Sequence, residues 1–320
     1  MASQSSARHI VTLTLLFFLG LLPLLAGAAQ ARVIAVLYPE LEEPYRSVFS
    51  SIIEGIQEQS AAMVRLLPVA DGSDSAHLVE PKNLLDVSAI IALGRTAFAA
   101  AEQWRGKIPI IVGALLLVPD KGEQGVAGIS LAADPHLLLE RLNHLAPSVK
   151  RVHVVYSPDD SEWLIQIAQN VCSKLNIKLR AYKSNDIKAS ALIYRDILNN
   201  TRPGEDAIWL LPDPVAVDSR IILPLLLRGA WNNNIELFSS NPGYVKRGAL
   251  FALFPDNKLM GRSLAKLAES YLGADAAEMR NFITPLKDLQ AAINVRTADH
   301  NGLTLSSEER KDYALIFPAP

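Results

Sequence analysis

The sequence predicts an α/β fold of two doubly wound parallel-sheet lobes, and three observations carry it. Short apolar runs alternate with amphipathic helical stretches along the whole chain, the pattern of strand–helix–strand units with a parallel sheet between helix layers. The alternation restarts after Ser130, so the βα units fall into two similar sets. The length of 320 residues, 50% hydrophobic and 20% charged, suits about two globular domains.

The elements follow in order. Arg32–Tyr38 is an apolar run that reads as a buried strand, and Pro44–Gln59 carries Val48, Ile52, Ile53 and Ile56 at helical spacing. Val64–Leu67, Val87–Leu93, Ile108–Val112 and Gly125–Ser130 read as further strands of the first set. Asp134-Pro135 is a helix start, with an oxygen acceptor at the cap and proline in the first turn. Strands at Arg151–Tyr156, Lys178–Tyr182, Asp206–Leu211, Ile235–Phe238 and Ala249–Phe254 then alternate with helices at Ser161–Leu175, Lys188–Asn199, Asp218–Trp231 and Asp256–Leu272. Glu162 is expected in the first turn of the helix from Ser161, and Pro224 is expected to kink the helix from Asp218. A last strand at Ala291–Val295 precedes a helical turn and a polar tail.

The amino terminus stands apart. Arg8 and His9 precede an apolar run from Ile10 to Leu25, and Ala29-Gln30-Ala31 supplies a small-residue cleavage site. That is the pattern of a secretory signal peptide over 1–31; Gly20 and Pro23 interrupt the run, which falls short of a membrane span. The predicted location is therefore periplasmic. A single cysteine, Cys172, can form no internal disulfide and reads as a core thiol. The formal net charge of −2 offers no polybasic footprint, so no nucleic-acid partner is expected.

Motifs for covalent or cofactor chemistry are sparse. Tyr38-Pro39-Glu40 stands where a dinucleotide fingerprint would begin, and no phosphate-binding P-loop pattern occurs. The six histidines lack metal-ligand spacing, so neither a zinc site nor a cofactor is expected. Gly128-Ile129-Ser130-Leu131-Ala132 is the nearest approach to a nucleophile elbow, but the helix signal waits until Asp134. A hydrolase built on Ser130 is thus the weakest of the readings, and the chain is read as a non-enzyme.

What the sequence offers instead is polar and aromatic residues at strand ends: Tyr38 and Glu40, Gly94-Arg95-Thr96, Tyr156, Asp213, and Ser240-Asn241. Ligands of open α/β sheets bind beyond the carboxyl ends of the strands. Gly94-Arg95-Thr96 ends a strand and opens a helix, and a helix N-terminus with unpaired N–H groups accepts an anion. Tyr38 and Tyr156 offer apolar walls.

The runs "IIALGRTAFAAA", "GVAGISLAADPHLLLERLNHLAPSVKRVHVVYSP", "LLPDPVAVDS", "GALFALFPDNKLMGRSLAKLAESYL" and "AAINVRTADHNGLTL", in this order and spacing, resemble the ABC transporter substrate-binding protein family, which has the type I periplasmic-binding fold. The resemblance implies lobes joined by a three-crossing hinge, near Ile129–Leu131, Ala252–Phe254 and Pro285. It divides the mature chain into an N-lobe of 32–130 plus about 255–285 and a C-lobe of 131–254 plus about 286–320. It implies that Gly94, Arg95 and Thr96 hold an anionic group, that Asp213 meets a cationic one, and that Tyr38, Pro39 and Glu40 contribute. The function it implies is solute binding for an ABC-type uptake system, with a small anionic or amino-acid-like ligand and a membrane permease as partner. A ligand-sensing subunit for a membrane signalling protein would use the same cleft. Arg95, in a place where the family generally has a small or uncharged residue, suits a more acidic ligand.

Overall fold

A computed structural model of the chain describes residues 32–70, 80–119 and 125–319. The predicted signal peptide lies outside the described residues. Among these, no helix is long and apolar enough to cross a membrane.

Two sheets organise the chain. The first has the order β11-β5-β4-β3-β1-β2 and the second β13-β12-β10-β9-β8-β6-β7. In the first, β1 (Val33–Pro39), β2 (Met63–Val69), β3 (Val87–Leu93), β4 (Ile110–Leu115), β5 (Val126–Ala133) and β11 (Phe282–Leu286) all run parallel. In the second, β6 (Arg151–Tyr156), β7 (Lys178–Lys183), β8 (Asp206–Leu210), β9 (Glu236–Ser239) and β10 (Phe251–Pro255) are parallel.

Alternation along each central strand explains the double winding. Ile34 and Val36 of β1 face one core with α1 (Tyr45–Gln59) and α8 (Asn257–Ser270), while Ala35 and Leu37 face another with α2 (Gly94–Ala101). In the second lobe Ala207 and Trp209 of β8 pack with α3 (Pro135–Leu145) and α4 (Pro158–Lys174). Ile208 and Leu210 pack with α5 (Ile187–Asn200) and α6 (Ile222–Asn233). Successive strand side chains point to opposite faces, so strands buried on both sides are apolar along their centres, as β1 and β8 are apart from Asp206 at the amino end of β8.

The structure departs from the sequence expectation in four places. Helix α4 begins at Pro158, not Ser161, with Asp159 and Asp160 rather than Glu162 in its first turn; proline fits a first turn, where its missing N–H is no loss. Helix α6 begins at Ile222, because the Asp218 carboxylate accepts from the Arg220 and Ile221 N–H groups (2.9 and 2.6 Å) in a separate turn. Pro224 therefore sits in the first turn and breaks no helical hydrogen bond. Strands β11 and β13 (Tyr313–Phe317) are not predicted by the sequence pattern; both are edge strands, and an edge tolerates Pro285. Finally, β12 (Leu289–Asn294) pairs antiparallel with β10 and parallel with β13, so the second sheet is mixed.

The chain passes between the sheets after β5, after β10 and between β11 and β12. These passages are laced together. The Asp134 N–H donates to the Leu286 carbonyl (2.8 Å), the Asp256 N–H to the Asp288 carbonyl (2.9 Å), and the Gln290 amide to the Pro255 carbonyl (3.1 Å).

One charged cluster lies at the amino ends of β6, β8 and β9. Arg151 grips Asp206 through two hydrogen bonds (2.5 and 2.7 Å), and the Arg202 N–H and the His153 ring complete its surroundings. Burial opposes the Asp206 charge, but these partners hold its carboxyl below the usual range. Glu236 is buried nearby with one carboxylate oxygen unpartnered. Burial, with the Asp206 charge adding to it, pushes its pKa from 4.5 to about 7. Native Glu236 thus keeps a proton that the unfolded chain releases near its ordinary value. Its contribution, on the order of 3 kcal/mol, is complete at acid pH and is lost as pH rises through about 7. Glu236→Gln should flatten this: melting temperature should fall less from about pH 5 to about pH 8 in the variant than in wild type, by thermal denaturation at both values.

Candidate functional site

The carboxyl end of β1 opens into a cavity of about 570 Å³. The Glu40 N–H donates to the Val69 carbonyl (3.1 Å), which continues the β1–β2 ladder to the last residue before the loop. The Tyr45 and Arg46 N–H groups both donate to the Glu42 carbonyl (3.1 Å each), starting α1. The cavity is enclosed by Tyr38, Pro39, Glu40, Leu41 and Glu42 on the loop and by Arg46, Phe49, Ser50 and Ile53 on the helix. Its volume lies within the ordinary range for small-molecule sites. Its chemistry is mixed: two aromatic rings, two carboxylates, and a guanidinium whose Nε donates to the Leu41 carbonyl (3.2 Å).

The strand-to-helix turn after β3 borders this cavity through Phe49. Gly94 has φ +78°, a left-handed conformation that favours glycine. A Cβ placed there would stand 3.4 Å from the Phe49 ring. Arg95 is exposed and Thr96 half-buried on α2, and neither is among the residues that line the cavity. Tyr38 and Glu40 are thus brought together with Gly94 alongside, while Arg95 and Thr96 stand apart from the lining.

On the second lobe the residues cluster differently. Tyr156, at the end of β6, is buried, and its hydroxyl donates to Glu162 Oε2 (3.1 Å). Burial raises its pKa, and the hydrogen bond to Glu162 adds to the rise. Lys183 caps the same group, 3.0 Å from Glu162 and 6.0 Å from the Tyr156 ring centroid. Asp213 is 2% exposed. One carboxylate oxygen accepts from the Ser157 N–H (2.7 Å) and the Ser161 hydroxyl (3.4 Å), the other from the Val215 and Ala216 N–H groups (3.0 Å each). A carboxylate has about four lone-pair positions, and all four are taken. Asp213 thus ties the start of α4 to the loop after β8. Ser240 is half-buried at the end of β9, and Asn241 caps α7 (Pro242–Lys246), accepting from the Gly243 N–H (2.8 Å).

Ser130, the residue of the hydrolase alternative, is turned inward. It is fully buried within β5, its hydroxyl donating to the Leu117 carbonyl (2.9 Å) and accepting from the Leu117 N–H (3.0 Å). A nucleophile must reach substrate and a base; this hydroxyl holds the backbone after β4 in place. Cys172 is equally inward: burial pushes its thiol up to about 12.

Sequence reasoning missed Arg46, Phe49 and Glu42. The signal was present in part: α1 carries a cation and no acid in its first turn, against the preference of the helix dipole.

A family model described as ABC transporter substrate binding protein matches residues 70–312. No curated protein matches the chain. Among solved structures, a ligand-free, open substrate-binding protein with adhesive properties from Clostridium difficile is 16% identical, with TM-score 0.61, covering 89% of this chain and 98% of its own. An ABC domain in complex with L-Trp from Streptococcus pneumoniae is 19% identical, with TM-score 0.53, covering 89% of this chain and 100% of its own. A conserved domain protein from Vibrio cholerae is 16% identical, with TM-score 0.52, covering 89% and 99%. At these identities the likeness is one of fold, the two-lobed type I periplasmic-binding architecture.

Proposed function

This chain belongs to the ABC transporter substrate-binding protein family, and from that membership we propose that it is the extracytoplasmic solute receptor of an uptake system, binding an amino-acid-like ligand at the Tyr38–Ile53 cavity. The single observation that carries the ligand class is the lining: Glu40 and Glu42 for an ammonium group, Arg46 for a carboxylate, Tyr38 and Phe49 for an apolar side chain. A guanidinium pairs with a carboxylate through two parallel hydrogen bonds. Aromatic rings pack flat apolar surface beside them. The L-Trp bound by the Streptococcus pneumoniae protein is of this chemical class.

In this reading the lobes close by hinge motion about the three laced passages, and a membrane permease recognises the closed form. Gly94 keeps the turn beside Phe49 tight. Asp213 positions the second-lobe loops that would meet the ligand, with Tyr156, Ser240 and Asn241 at the strand ends beside them. No covalent step is involved.

Calorimetric titration of the mature chain with the L-amino acids tests this. At least one, most readily an aromatic one, should bind at micromolar concentration. Arg46→Gln should weaken that binding about tenfold or more, the loss of a charge-assisted hydrogen bond. A panel with no binder, or a binder indifferent to both Arg46→Gln and Tyr38→Ala, would overturn the assignment.

A further inference from the structure

A second cavity, of about 530 Å³, lies on the other side of the second lobe. Asn294, one of its residues, ends β12, and because β12 runs antiparallel to β10 its N–H meets the Leu250 carbonyl (2.9 Å), just before β10 begins. Trp231, another, lies just ahead of β9: the Ile235 N–H donates to the Ala230 carbonyl (3.0 Å). The cavity therefore opens at the amino ends of the parallel strands. The strand ends discussed above are at the opposite edge.

Its lining holds four cations, Arg228, Lys246, Arg247 and Arg296, and no acid. Among the described residues none of the four forms an ion pair. This concentration of positive charge stands out in a chain of net charge −2. Trp231 lies among these cations. The His300 ring stacks on the indole at 3.7 Å between centroids, with Nε2 2.9 Å from the Trp231 carbonyl oxygen. The Arg296 guanidinium lies 5.5 Å from the indole centroid, and 36% of Trp231 remains exposed. Arg247 is partly engaged, its Nη1 donating to the Ser219 carbonyl (3.1 Å). The arrangement is an aromatic surface beside cations that have no acid partner.

We propose that this cavity is a second binding site, for a phosphate ester with an apolar or aromatic body. Four cations without an acid partner call for more than one negative charge, which a phosphate dianion supplies, and arginine matches its geometry. The exposed indole takes the organic part. The site shares no residue with the Tyr38–Ile53 cavity, so either can fail alone. The phosphate could belong to a free metabolite or to an anionic lipid headgroup.

Phenyl phosphate is the probe, titrated calorimetrically into the mature chain at low salt. Binding is expected, with inorganic phosphate weaker. The double change Arg228→Gln with Arg296→Gln should lower affinity at least tenfold, and the exposed single change Lys246→Gln should lower it less while preserving the fold, checked by circular dichroism. Tyr38→Ala should leave it unchanged. Co-sedimentation with phosphatidylglycerol vesicles that depends on the same arginines would assign the phosphate to lipid; phenyl phosphate binding without vesicle binding assigns it to a free ester. Absence of both, insensitivity to all three cation changes, or loss in Tyr38→Ala would overturn the proposal.

Discussion

Gly261→Ala should cost about 3 kcal/mol or more of stability and drop the melting temperature by many degrees. Helices α1 and α8 cross with backbone close against backbone at two glycines. A Cβ at Gly261 would stand 2.0 Å from the Ile52 carbonyl oxygen, and one at Gly55 would stand 2.0 Å from the Lys258 carbonyl oxygen. Neither obstacle is a side chain that can swing away, so the helices must part. Parting them lifts Ile52 and Ile56 off Met260 and Leu264 in a fully buried core. Set against a total of about 5–15 kcal/mol for a typical protein, that is a large fraction. Glu58→Gln, which removes exposed ion pairs to Lys258 and Arg262 beside the same crossing, should melt close to wild type. Urea unfolding of the three proteins compares them. If Gly261→Ala and wild type unfold together, the close crossing is not what joins these helices.

Asp213→Ala should be nearly as damaging, at about 3 kcal/mol. It strands three main-chain donors, from Ser157, Val215 and Ala216, two of them at buried residues. Asp213→Asn should lie between, since its amide NH₂ must face donors where an oxygen accepted. The measurement that separates loop placement from direct ligand contact is affinity at a temperature where the variant is folded. Placement predicts that Asp213→Asn loses melting temperature while its folded fraction binds ligand within a few-fold of wild type. A hundredfold loss of affinity with unchanged melting would assign Asp213 to the ligand instead.

Much of the fold was legible because the central strands are buried on both faces. Val87–Leu93 is apolar at nearly every position, and such a run bounded by turn residues is readable without its neighbours. The partners of each strand were less so. Strand β12 runs against β10, a pairing made across the whole of α8. Strand β11 carries a proline that reads as a breaker until its edge position is known. The site was legible only in outline. Tyr38 and Glu40 could be placed at a strand end, but Arg46 and Phe49 read as ordinary positions of an amphipathic helix. Asp213 shows the deeper limit: two of its four donors come from Ser157 and Ser161, more than fifty residues earlier, and no local pattern reports that they converge on one carboxylate.

The late position of α8 and β11 sets a timetable for synthesis. Every strand of the second lobe up to β10 leaves the ribosome before the helix and strand that finish the first lobe. Until Met260 and Leu264 have emerged, the apolar face of α1 lacks their cover, and until Leu286 has emerged the first sheet lacks its last strand. The first lobe is thus begun first and completed late, and its sheet is whole only when the chain is nearly finished.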